Sequence, residues 1–160
     1  ACDAWNCSSY AGTWNFSIDD YLSVEITSDD INFGTDIQPG ALNDTTDGVP
    51  GPFTFRNDGI ILANLSNVSS TDLWRSVSLG TRYFRFMADN YTEPDAFDWA
   101  NSLTVWENVS SSYLGTVIAE LNYSDTADEA EIEIGIEVPV AETPGTKQSE
   151  MRFTWRAARE

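Results

Sequence analysis

The chain has no histidine and a single lysine, Lys147. Without histidine, the commonest general base and the commonest zinc ligand are both missing. Bases of any kind are scarce: 8 Lys plus Arg stand against 26 Asp plus Glu, a formal net charge of -18. Such a surface repels polyanions, so neither nucleic acid nor anionic lipid is an expected partner. The plain reading of the charge is a solvated surface that keeps the protein soluble in salty surroundings. No apolar run approaches the ~18 residues of a membrane-spanning helix, so no membrane span is expected. Cysteine is limited to Cys2 and Cys7, with four residues between them. In an oxidising compartment these two are expected to close a small disulfide ring within one chain. A ring so short contributes little to the core.

What the chain does have is length and apolar content for one core: 160 residues, 41% hydrophobic and 12% aromatic. It also has asparagine in a pattern. Eight positions read Asn-X-Ser/Thr: Asn6, Asn15, Asn43, Asn64, Asn67, Asn90, Asn108 and Asn122. With 11 Asn and about 19% Ser plus Thr, chance supplies about two such sites. The excess points to a secreted surface carrying N-linked glycans at these positions. With the acid surplus and the single lysine, an archaeal cell surface is the expected setting. The chain begins at Ala1 rather than Met and retains no signal-like apolar segment, so a processed product or a trimmed chain is expected.

Strand and turn signals dominate the rest. Trp14, Phe16 and Ile18 alternate with Asn15 and Ser17, which predicts a half-buried strand over 12–18. Leu22, Val24 and Ile26 alternate in the same way. Ile31-Asn32-Phe33-Gly34 reads as a further strand, followed by a loop with Gln38-Pro39-Gly40. Phe53 to Arg56 and Ile60 to Leu65, separated by Asn57-Asp58-Gly59, read as a hairpin whose turn uses positive φ. Further strands are expected at Arg82–Met87, Leu103–Trp106 and Tyr113–Leu121, with a plug at Asp72-Leu73-Trp74 and a helical turn within 96–100. Ile132, Ile134, Ile136 and Val138 alternate with acids, while Met151, Phe153 and Trp155 alternate with Arg152, Thr154 and Arg156. These two runs predict a second antiparallel hairpin, a row of Glu meeting a row of Arg. Nine to ten short strands without a long helix predict an all-β, antiparallel β-sandwich of Ig-like or jelly-roll type. Residues 1–18 form an N-terminal extension with a candidate donor strand, and 19–160 form a single sandwich domain.

Ile31-Asn32-Phe33-Gly34, Ile37-Gln38-Pro39-Gly40, then Phe53-Thr54-Phe55-Arg56-Asn57-Asp58-Gly59 and the apolar strand after it resembles the start of TasA-like biofilm-matrix proteins and archaeal bundling-pilus subunits. The shared order is strand, Pro-Gly loop, strand, Asn-x-Gly turn, strand, over about 35 residues plus the strand-rich tail. The resemblance implies secretion through a cleaved signal peptide and polymerisation by donor-strand exchange between identical subunits. Some similar proteins are named as metal peptidases; with no histidine in the chain, that activity is not carried over.

Enzyme chemistry finds little support. Acid neighbours such as Asp19-Asp20, Asp29-Asp30 and Asp128-Glu129 could in principle serve glycoside hydrolysis, but 26 acids generate such pairs by themselves. No catalytic residue, cofactor or metal ligand is assigned. Asp36, Asp44 and Asp47 carry oxygen ligands suited to calcium, though their spacing matches no defined loop and solvated turns explain them better. Trp99 and Trp106 could stack on sugar, but core packing is the simpler expectation. The expected function is a head-to-tail structural filament, pilus or matrix fibre. The alternative is a monomeric adhesion or ligand-binding module, or an S-layer or sheath component, on the same sandwich.

Overall fold

The computed structural model describes residues 20–90 and 93–158. The donor strand (Trp14, Phe16, Ile18), the Cys2 and Cys7 pair, and sequons Asn6 and Asn15 lie outside the described residues. The described residues form nine strands: β1 Val24–Ser28, β2 Leu42–Asp44, β3 Phe53–Asn57, β4 Ala63–Ser70, β5 Phe84–Asp89, β6 Glu107–Asn108, β7 Tyr113–Leu121, β8 Glu129–Glu137 and β9 Met151–Ala157. They make two antiparallel sheets, β1-β3-β8-β5-β6 with β2 also on β8, and β7-β4-β9. The helical turn expected within 96–100 is a single 3-10 turn at Trp99–Asn101. The chain is an all-β sandwich.

Alternation explains which residues meet between the sheets. Ala130, Ile132, Ile134 and Ile136 of β8 point into the core, with Phe55 of β3 and Phe86 of β5. From the other sheet come Ala63, Leu65 and Val68 of β4 and Val117, Ile118 and Leu121 of β7. Trp74, expected as a plug, is buried and donates its indole N–H to the Tyr83 carbonyl at 2.9 Å. Burying side chains of this size stabilises by ~1.5–3 kcal/mol each before conformational entropy is counted.

Two expected hairpins turn out to be crossovers between the sheets. β3 lies in the six-stranded sheet and β4 in the three-stranded one. Both edges of β3 are filled, by β1 and β8, so the following strand has no place beside it. Asn57 holds this crossover. Its Nδ2 donates to the carbonyls of Ile61 at 2.9 Å and Leu121 at 3.0 Å, and its Oδ1 accepts from Gly59 N at 3.1 Å. Glycine is needed at 59 for close approach, since a Cβ there would lie 2.5 Å from the Tyr21 carbonyl oxygen.

The acid-patterned and arginine-patterned strands do not pair either. β8 is occupied along one edge by β3 and then β2, and along the other by β5. β9 therefore joins β4 in the opposite sheet. The strands expected at Ile31–Gly34 and Leu103–Trp106 are also absent. Ile31, Phe33 and Ile37 instead pack half-buried on the core from an irregular segment that includes left-handed Gly34 (φ 82°) and Asp36 (φ 64°). Leu103 acts as a bridge, donating to the Val117 carbonyl and accepting from Ala88 N.

The connection from β8 to β9 is pinned by Glu142, whose side chain is 2% exposed. Its Oε2 accepts from Arg75 N at 3.0 Å, Ser76 N at 2.9 Å and the Ser76 hydroxyl at 2.7 Å, while Oε1 meets the Lys147 ammonium. Lys147 and these donors favour the ionised form and hold the carboxyl down at about 2, against an ordinary 4.5. A lowered pKa means stabilisation that is complete above pH 4.5 and lost as pH falls towards 2. Glu142→Gln is expected to lower Tm by several degrees at neutral pH. Melting curves should show the gap to wild type closing as pH falls below 4.5; a constant gap would assign the loss to packing instead.

Candidate functional site

The two outer edges of the three-stranded sheet are treated differently. The edge of β7 is covered by the 96–103 segment. Asp98 N donates to the Ala119 carbonyl at 2.9 Å, Asn122 N to Ala96 O at 2.8 Å and Leu103 N to Val117 O at 2.9 Å. The Ser102 hydroxyl also accepts from Ala119 N at 2.9 Å. Asp98 stabilises this cover by accepting from Ala100 N and Asn101, contacts that hold its carboxyl below the usual range. Covering an edge in this way prevents strand addition there.

β9 has no such cover among the described residues. Among the described residues it pairs with β4 alone. Its core-facing residues, Met151, Phe153 and Trp155, are only half-buried, although they pack on the core. Phe153 sits edge-on to Phe53 and Phe55, at centroid distances of 5.3 and 4.8 Å, and Trp155 lies 5.5 Å from Phe55. On the facing sheet, β1 is likewise terminal, with Val24 half-buried and Ile26 exposed. Among the described residues, the sandwich is closed along its β7 side and open along its β1/β9 side. The outward face of β9 carries Arg152, Thr154 and Arg156, all exposed, with Arg152 paired to Glu150 at 3.0 Å.

The six sequons among the described residues are all half-buried. Asn43, Asn64, Asn67 and Asn108 lie on strands; Asn90 and Asn122 follow directly after β5 and β7. Asn64 and Asn67 point outward from β4, in register with Arg156 and Thr154 of β9.

The acids do structural work. Asp44 Oδ1 accepts from Thr46 N at 3.1 Å, Asp47 Oδ1 from Val49 N at 2.9 Å, and Asp36 Oδ2 from the Thr35 hydroxyl at 3.4 Å. Each carboxylate serves its own turn, and among the described residues no three acids or thiols are grouped to hold a metal. Asp58 pairs with Arg56 at 2.8 Å, which holds the carboxyl low, and Arg56 also reaches Glu25 at 3.0 Å. Burial, with Glu93 nearby, pushes Asp128 up. Trp106 packs on Gly135, with the Arg85 guanidinium 5.2 Å from its ring, whereas Trp99 is 45% exposed and stacks on Phe97.

Sequence reasoning missed the Glu142 anchor, the covered β7 edge and two buried acids on β8, Glu131 and Glu133. Glu133 is 3% exposed on the outer side of the six-stranded sheet and accepts from the Thr45 hydroxyl. Thr45 itself continues the β2–β8 pairing, through Thr45 N to Ile134 O and Ile134 N to Thr45 Oγ1. The regular acid/apolar alternation of β8 gave no sign that Glu131 and Glu133 would be covered. No family model, curated protein or solved structure matches the chain.

Proposed function

We propose that the chain is the structural subunit of an extracellular, glycosylated filament that grows by strand addition, residues 12–18 of one subunit pairing with β9 of the next. The observation that carries this reading is the difference between the two sheet edges: β7 is covered and, among the described residues, β9 is open over half-buried aromatics. An open edge offers unpaired main-chain donors and acceptors to an incoming strand. A strand bearing Trp14, Phe16 and Ile18 would bring apolar side chains to Phe153, Trp155 and Phe53. Asp19-Asp20, directly after that strand, is attracted to the exposed arginines on the outer face of β9. Head-to-tail addition does not close on itself, so it propagates as a fibre. The role is structural, with no catalytic residue assigned, and the partners are identical subunits and N-linked sugars.

Deleting residues 1–18 is expected to give a folded monomer that forms no fibres and binds a synthetic 12–18 peptide. Electron microscopy and sedimentation read the first result, and peptide titration the second. Native-type fibres from the truncated protein, or a full-length chain that stays monomeric, would overturn the reading in favour of a monomeric surface module.

A further inference from the structure

We propose that the folded chain carries its sugars at Asn64, Asn67 and Asn122 and keeps Asn90 and Asn108 bare. This rests on the glycosylated reading above and says which nitrogens the fold leaves available. N-linked transfer joins Nδ2 to the anomeric carbon of a sugar held on a lipid phosphate. The bond from that carbon to the phosphate oxygen breaks, the lipid phosphate leaves with its electron pair, and one Nδ2 proton passes to a base of the transferase. The sugar thus replaces one amide hydrogen and brings a ring against whatever surrounds the nitrogen.

The side-chain amides divide according to which end the protein uses. At Asn64 the oxygen is engaged, accepting from Glu120 N at 2.7 Å. At Asn67 it accepts from the Ser112 hydroxyl at 3.3 Å, and at Asn122 from Tyr123 N at 2.7 Å. An amide held by its oxygen directs its nitrogen away from that contact. At Asn90 and Asn108 the nitrogen itself is used, donating to the Pro94 carbonyl and, at 3.4 Å, to the Gly80 carbonyl. A sugar there would press on main chain.

At two of the three oxygen-held sites the surroundings agree. Leu114, in direct register with Asn67 on β7, is 80% exposed, an unusual place for a leucine on a strand. Tyr123, inside the Asn122 sequon, is 46% exposed. A sugar on the neighbouring asparagine would lay its C–H face over each.

The test is glycopeptide mass spectrometry, resolved by site, on protein purified from its own source cells, with Ser69→Ala and Ser124→Ala variants to remove two sequons individually. Expected are sugar on Asn64, Asn67 and Asn122, unmodified peptides at Asn90 and Asn108, and the loss of one glycan mass in each variant. Sugar on Asn90 or Asn108, or bare Asn64 and Asn67 in a chain glycosylated elsewhere, would overturn the assignment while leaving the glycosylated reading in place. A mass equal to the bare chain would overturn both, and fibres formed by such a chain would leave strand addition standing.

Discussion

Asn57→Ala is expected to destabilise the domain by about 3 kcal/mol, a fall in Tm of roughly 6–12 °C for a chain of this size. Asn57 is 1% exposed and makes three side-chain hydrogen bonds that tie the β3–β4 crossover to the end of β7. Alanine leaves the carbonyls of Ile61 and Leu121 without their donor, and a buried unsatisfied carbonyl costs ~1–3 kcal/mol. Asn57→Asp makes a sharper comparison. It keeps the acceptor for Gly59 N but turns a second oxygen towards two carbonyl oxygens, so it should be at least as damaging at neutral pH. Asp58→Ala, at the neighbouring exposed position, should have a much smaller effect. Thermal melts of the three variants check this, and an Asn57→Ala Tm within a degree of wild type would show that the crossover is held by something else.

The same residue shows how far the sequence could be read. Asn57-Asp58-Gly59 is visibly a turn, and the runs on either side are visibly strands. What the residues do not state is whether the turn returns the chain along the same sheet or carries it across to the other. That depends on whether β3 still has a free edge, and its edges are taken by β1 and by β8, a strand more than seventy residues away in sequence. The β8–β9 pair fails as a hairpin for the same reason. Alternation fixes which face of a strand is apolar, but pairing is a competition among all edges and is settled non-locally.

The site was legible in part for related reasons. The arginine/aromatic alternation of β9 was plain, yet its openness depends on a cover that exists, among the described residues, on β7 and not on β9. That cover is an irregular segment held by main-chain bonds and a Ser102 hydroxyl, which carry no periodicity to detect. The sequons were fully legible as a motif. The difference between Asn64, held by its oxygen, and Asn108, held by its nitrogen, exists only once Glu120 and Gly80 have been brought beside them.

Glu133→Gln is expected to stabilise the protein at pH 8 and to leave it unchanged near pH 4. Burial on β8, reinforced by the carboxylates of Glu131, Asp89 and Asp44, raises the Glu133 carboxyl from an ordinary 4.5 to about 7, despite the Thr45 hydroxyl bond that favours ionisation. Between those two values the folded chain holds a proton that the unfolded chain has released, so wild-type stability falls as pH rises through this window. Below pH 4.5 both states are protonated and the penalty vanishes; above 7 it is present in full. A shift of this size corresponds to roughly 3 kcal/mol. Glutamine has the shape of the protonated acid and no charge to desolvate, so it should recover most of that difference at pH 8. Denaturant melts of both proteins at pH 4, 6 and 8 should show curves that coincide at the lowest pH and separate steadily upwards. A variant less stable than wild type at pH 8 would mean that the ionised carboxylate is stabilised by its surroundings after all.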